Sequence, residues 1–180
     1  IDGSTTGSVL AVGNRGAVLA QTQGSFTLVD AGTVENLRGV WLAESGLVVV
    51  VGGNGVIARR AGTTWSADST PTHAALQGVW GSSDSDIFAV GTSGTILHHD
   101  GGGWSSMPSG TTQILSAVSG NSATDVYAAG SGGTLLHYDG TSWSPVNSGT
   151  TAVLQSVCAE CGPAAAGTNG VVTRFVNNTW

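Results

Sequence analysis

The sequence predicts an all-β chain folded as a five-bladed β-propeller, and three observations predict it. Leu37, Leu76, Leu115 and Leu154 recur at a spacing of 39 residues, and the stretches after Leu76 and Leu115 are nearly the same sentence. A fixed period between about twenty and fifty residues marks a repeat architecture. Each unit holds about four short β-branched or aromatic runs separated by Gly, Ser and Asp clusters, which is how strands and turns read and is the make-up of one blade. Five G-x-x-G turns, at residues 13–16, 52–55, 91–94, 130–133 and 167–170, set the blade count. No segment shows apolar residues at helical spacing over helical length.

The copy that starts at Leu76 defines the elements. Val79 and Trp80 belong to a first short strand, closed by the Ser82–Ser85 cluster. Residues 87–90 form a second, apolar strand that ends at Gly91. Residues 95–99 form a third, more polar strand, closed by Asp100 and three glycines. Residues 104–107 form a fourth, ended by Pro108-Ser-Gly110. Glycine reaches positive φ at no steric cost, as a tight primed hairpin requires, so G-x-x-G reads as a turn between the second and third strands. It also has the look of a phosphate loop, but no helix follows it and every copy carries it.

The expected repeats are 1–36, 37–75, 76–114, 115–153 and 154–180 of a single domain. The first copy begins inside a unit, and its strands fall at residues 9–12, 17–21 and 26–29. The second copy has four consecutive valines from Val48, a pattern for a strand buried on both faces. The fifth copy departs. It is two residues shorter between its leucine and its first glycine, its second strand is Pro163 and three alanines, and its fourth strand is missing. An edge left without a partner strand invites pairing with another chain.

Composition narrows the function. The chain has 180 residues, a net charge of −6, no lysine and five arginines. That excludes nucleic acid and anionic membrane surfaces as natural partners. The longest apolar run, residues 47–51, is too short to cross a bilayer, so no membrane insertion is expected. The chain starts on Ile1 with no visible signal peptide, which reads as processing or trimming. The acidic, lysine-free, Gly/Ser/Thr-rich composition reads as extracellular or cell-surface.

Candidate sites follow the repeat. An aromatic stands thirteen residues after each first glycine: Phe26, Trp65, Trp104, Trp143 and Trp180. The four indoles are candidate stacking faces for sugars or plugs between blades. His98 and His137 hold equivalent third-strand positions, where Arg59 also falls, and read as a solvated edge column or as metal ligands. His99 points to the other face. Asp86, Asp100, Asp125 and Asp139 flank the second and third strands, as turn acceptors or as calcium ligands. Cys158 and Cys161 sit in the shortened turn of the fifth copy. Four zinc ligands are absent there, and a local disulfide is the reading, with two free thiols as the alternative. Asn177-Asn178-Thr179 fits a glycosylation sequon.

The run V-W-G-S-S-x-x-D-I-F-A-V-G-x-x-G-T-I-L-H-x-D-G-x-x-W-S, from Val79 to Ser105, resembles a repeat of bacterial secreted and surface proteins. Those are classed with WD/YVTN-like and photosystem II assembly factor-like propellers. The turns before Trp104 and Trp143 are also similar to the Asp-box of sialidase-type propellers, with one residue fewer between Asp and Trp. The resemblance implies a propeller and no single activity. Only Glu35, Glu44 and Glu160 are available as glutamates, and the arginines are too scattered for a sialidase-like cluster. The expectation is therefore a non-enzymatic extracellular module, without cofactor or metal, that binds a protein partner or assembles through its open blade edge. A lectin-like carbohydrate binder is the alternative, and a glycosidase comes third.

Overall fold

Successive antiparallel strands, each paired with the next in sequence, build five sheets. The computed structural model describes residues 1–3, 9–22 and 24–176, with the Thr22 side chain left out. Blade 1 is β1 (Asp2–Gly3), β2 (Val9–Val12), β3 (Ala17–Thr22) and β4 (Ser25–Asp30). Blade 2 is β5 (Leu37–Leu42), β6 (Val48–Gly52), β7 (Ile57–Ala61) and β8 (Thr64–Ala67). Blade 3 is β9 (Leu76–Ser83), β10 (Asp86–Gly91), β11 (Ile96–His99) and β12 (Trp104–Met107). Blade 4 is β13 (Leu115–Ser122), β14 (Asp125–Gly130), β15 (Leu135–Tyr138) and β16 (Trp143–Pro145). Blade 5 is β17 (Leu154–Cys158), β18 (Ala164–Gly167) and β19 (Val172–Arg174). This is the five-bladed propeller the period predicts, with three described strands in the fifth blade. Trp180 and the sequon lie outside the described residues.

The core lies between blades. Successive side chains of a strand point to opposite faces. Val48 and Val50 therefore pack toward blade 1 with Leu10, Val18 and Leu37, while Val49 and Val51 pack toward blade 3 with Leu76, Ile87 and Leu97. A second strand covered on both sides has no face left for polar residues. Phe88 and Val90 meet Leu115, Val126, Leu136 and Trp143 between blades 3 and 4, and Ala129 and Leu135 meet Leu154 and Ala165 between blades 4 and 5. The periodic leucines are the plugs: Leu76, Leu115 and Leu154 are all fully buried.

The first strands are longer than the sequence pattern indicates, since β9 runs on into the serine cluster. They lie side by side from β5 to β9, β13 and β17 and so form the inner wall. A register shift recurs near their starts, between Leu37 and Gly39, Leu115 and Ala117, and Leu154 and Ser156. A bulge of this kind bends and twists a strand. Gly39 and Gly78 let neighbouring inner strands approach closely: a Cβ on Gly39 would stand 3.2 Å from the Gly78 Cα.

The G-x-x-G turns are clasps as well as hairpins. Positive φ falls on the third and fourth positions, such as Asn54 at 52° and Gly55 at 70°. The first glycine is extended, and its reason is close approach instead: a Cβ on Gly91 would meet the Ala75 carbonyl just before the blade's own inner strand. The N–H after it donates to that carbonyl, and the N–H of the last glycine donates to the linker leading into the next blade, as Thr92 does to Ala75 and Gly94 to Gln113.

Candidate functional site

Where the first hairpins of blades 2 to 5 converge, a cavity of about 830 Å³ opens on the propeller axis. Blade 2 contributes Trp41, Glu44 and Ser45, blade 3 contributes Trp80 and residues 82–85, blade 4 contributes Asn121 and Ser122, and blade 5 contributes Glu160.

One column of inner-strand residues runs through the blades, with Trp41 and Trp80 lining the cavity, and its first four members each reach the residue 40 positions ahead in the next blade. The Asp2 carboxylate accepts the Leu42 N–H at 2.7 Å. The Trp41 ring lies over Gly81, the Trp80 ring lies over Gly120, and the Ser119 hydroxyl accepts the Ala159 N–H at 3.2 Å. The fifth member of the column is Cys158, bonded to Cys161. The disulfide closes the shortened hairpin and holds Glu160 inside it, at the rim. Across the rim, Ser45 Oγ donates to Asp84 Oδ1 at 2.7 Å. Glu44, Asp84 and Glu160 are exposed, while Trp41 and Trp80 are half-buried.

Apart from the two cysteines, whose hairpin carries Glu160 to the rim, the described sequence-predicted residues sit outside the cavity lining. His98 Nε2 lies 2.6 Å from Asp86 Oδ1, and the ring stacks on Phe88 at 4.3 Å. His137 repeats the arrangement with Asp125 at 2.8 Å and Tyr127 at 4.6 Å. Ser82 completes the first pair, and Asn121 completes the second with a bond of 2.6 Å. Burial works to raise the Asp125 carboxyl, but the hydrogen bonds from Asn121 and His137 outweigh it and hold its pKa below the ordinary value. These histidines are half-buried partners of strand-start aspartates, not a solvated edge. Asp86 and Asp125 are correspondingly not turn acceptors. Asp100 and Asp139 are: they accept the N–H groups of Gly102, and of Thr141 and Ser142.

His99 is buried, 4% exposed, against Trp104 and 3.4 Å from Arg59 of blade 2. Burial first, and the Arg59 charge second, push its pKa below the ordinary value. Among the described residues, no three His, Cys, Asp or Glu converge as a metal site.

The indoles are set between blades. Trp143 is 8% exposed in the core of blades 3 and 4, and Trp65 and Trp104 are half-buried against their own cores. Trp65 and Trp143 line equivalent grooves of about 360 and 280 Å³ beside the G-x-x-G turns, and the Nε1 of each is buried without an acceptor among the described residues. Trp104 Nε1 instead donates to Asp68 at 2.8 Å, and that carboxylate also faces Arg59 Nε at 2.7 Å.

The cavity escaped the sequence reading because the hairpin residues that face it differ from copy to copy, as Ala43, Ser82, Asn121 and Glu160 do. Trp41 and Trp80 recur at the 39-residue spacing, but Ser119 and Cys158 hold the next two equivalent positions with different chemistry. Glu44 and Glu160 stand out in the sequence as glutamates, but nothing local says that they meet across the axis.

Comparison with known proteins gives a fold and no family. No protein-family model matches the chain, and no curated protein matches it. Solved structures do. YCF48 from Cyanidioschyzon merolae is 14% identical over 92% of this chain and 62% of its own, with a TM-score of 0.69. Virginiamycin B lyase from Staphylococcus aureus is 14% identical over 99% of this chain and 70% of its own, at 0.75. YCF48 bound to D1 peptide is 11% identical over 96% of this chain and 62% of its own, at 0.71. The chain thus spans 62% of the length of either YCF48 structure. At these identities the likeness shows that the chain is of the β-propeller class. The expectation of a chain that is not an enzyme is corrected by the lyase, since the same fold there carries an enzyme. That expectation rested on the scarcity of glutamates and the scatter of the arginines, which argue against a sialidase-like site but not against other chemistry grafted on the loops of the same fold.

Proposed function

We propose that this propeller is a protein-binding module, secreted or displayed at a cell surface, that receives an extended segment of its partner in the axial cavity. The observation that carries the reading is the contrast between scaffold and rim. Leucines and G-x-x-G clasps recur from blade to blade, the His–Asp pair recurs in blades 3 and 4, and these groups find their partners within the scaffold. The first hairpins each bring different side chains to one open cavity of about 830 Å³. Concave sites with a few convergent polar groups and aromatic walls are where ligands bind. A propeller of similar fold has been solved with a bound peptide, that of D1. The Cys158–Cys161 disulfide supports an oxidising compartment.

Selection from a displayed peptide library on the immobilised protein tests this. The expected result is a peptide that binds saturably and is lost when Trp80 is replaced by Ala in a variant that still unfolds cooperatively. Failure to select any peptide, or binding indifferent to the substitution, overturns the reading.

A further inference from the structure

We infer that the axial cavity recognises cationic side chains, so that its ligand is a basic, arginine-bearing peptide segment. The inference rests on the peptide-binding reading and adds the charge of the ligand. Glu44, Asp84 and Glu160 reach the rim from three different blades. None of the five arginines lines the cavity, and the chain has no lysine. Among the described residues, the ion pairs are Arg59 with Asp68 and the two His–Asp pairs, and none of them includes a rim carboxylate. Three exposed negative charges facing one space are left for a ligand to neutralise.

The walls point to the same chemistry. Trp41 and Trp80 line the space with their edges seated on Gly81 and Gly120, which fixes the rings in place. An indole attracts a guanidinium or ammonium group through its ring quadrupole, and Trp does so best among the aromatic side chains. The carboxylates do not converge to the spacing of a metal site. Spread around a wide cavity, they suit large cations carried on a chain. Their supports are built in as well. Ser45 ties Asp84 across the rim, and the disulfide with the Ala159–Ser119 bond holds the turn that carries Glu160. Preorganised groups bind with a smaller ordering cost, and the net charge of −6 steers cations toward the protein.

Isothermal titration at about 0.15 M salt with three capped peptides tests the assignment: Gly-Arg-Gly-Arg-Gly, Gly-Glu-Gly-Glu-Gly and Gly-Ser-Gly-Ser-Gly. The arginine peptide is expected to bind saturably and at least about tenfold more tightly than the others. The variant E44Q/D84N/E160Q should lose at least about tenfold of that affinity. A control with equal charge change, D30N/E35Q/D100N, should stay within about twofold. The three rim residues are exposed, so folding should be unaffected, and Glu160→Gln alone serves if the triple variant fails to fold. Equal weakening by both triple variants means general attraction to an acidic protein and overturns the site. Preference for the serine or glutamate peptide overturns the charge assignment and leaves peptide binding standing. If none of the three binds and the library also yields nothing, both readings fall.

Discussion

The edge of the Trp41 ring rests on the backbone of Gly81 in the next blade. A methyl group on Gly81 would stand 2.7 Å from Trp41 Cη2 and 3.0 Å from the Asp86 carbonyl oxygen. The carbonyl cannot yield, so the ring must. Gly81→Ala is therefore expected to destabilise the fold by roughly 1–3 kcal/mol, the range for overpacking a filled site. Because the displaced ring is a cavity wall, peptide affinity should fall in the same variant. Urea unfolding reads the first effect and titration the second. An unchanged midpoint would mean that Trp41 is not wedged between the two inner strands.

What repeats could be read, because each feature is stated several times over. The leucine column, the clasp glycines and the doubly buried valines of β6 follow from spacing and alternation alone, and the structure buries Leu76, Leu115 and Leu154 completely. Relations between blades could not be read. Alternation places His99 opposite His98, but only the packing of Arg59 and Trp104 from other strands shows that His99 is covered. Asp86 looks like any aspartate before a strand until β11 brings His98 beside it. The axial cavity is the extreme case, since four hairpins separated by about a blade's length each supply it.

Cys158 and Cys161 are bonded, and the shortened hairpin between β17 and β18 depends on that link. Alkylation should label the native protein only after reduction, as read by intact mass. Replacing both cysteines by serine is expected to lower stability by about 2 kcal/mol, the chain-entropy value for so short a loop. It should also weaken arginine-peptide binding, because Glu160 sits within the loop. Labelling without reductant would show free thiols and would remove the argument for an oxidising compartment.

His99 makes stability depend on pH in a definite direction. Its folded pKa lies below the ordinary value of 6.5 that it recovers on unfolding. Above 6.5 both states are neutral and the residue contributes no slope. As pH falls through 6.5 the unfolded chain takes the proton first, so stability drops until the lowered folded value is passed. Asp100, Asp125 and Asp139 have lowered pKa values, so the stability they add is lost only in more acid solution, as pH falls through their folded values below 3.8. The two regions are therefore separate. Urea midpoints between about pH 7.5 and 5, the range where histidine titrates, should fall in the wild type and fall less in His99→Gln. Parallel curves would show that another group carries the slope.

Trp104 and Trp143 hold equivalent positions, yet their ring nitrogens have different fates. Trp104 Nε1 donates to Asp68, whose side chain is only 9% exposed. The position equivalent to Asp68 beside Trp143 is Met107, which offers no carboxylate, and Trp143 Nε1 is buried without an acceptor among the described residues. Replacing each indole by phenylalanine keeps an aromatic ring and removes the donor. In Trp104→Phe, a largely buried carboxylate loses a hydrogen bond, a loss of roughly 1–3 kcal/mol on top of the lost volume. In Trp143→Phe, the lost volume is partly offset because no donor is left unpaired in the core. Trp104→Phe should therefore be the more destabilising of the two, although Trp143 is the more buried ring. Urea unfolding of both variants at neutral pH decides it. A larger loss for Trp143→Phe would mean that indole volume, rather than the Asp68 bond, governs how these rings seal the blades.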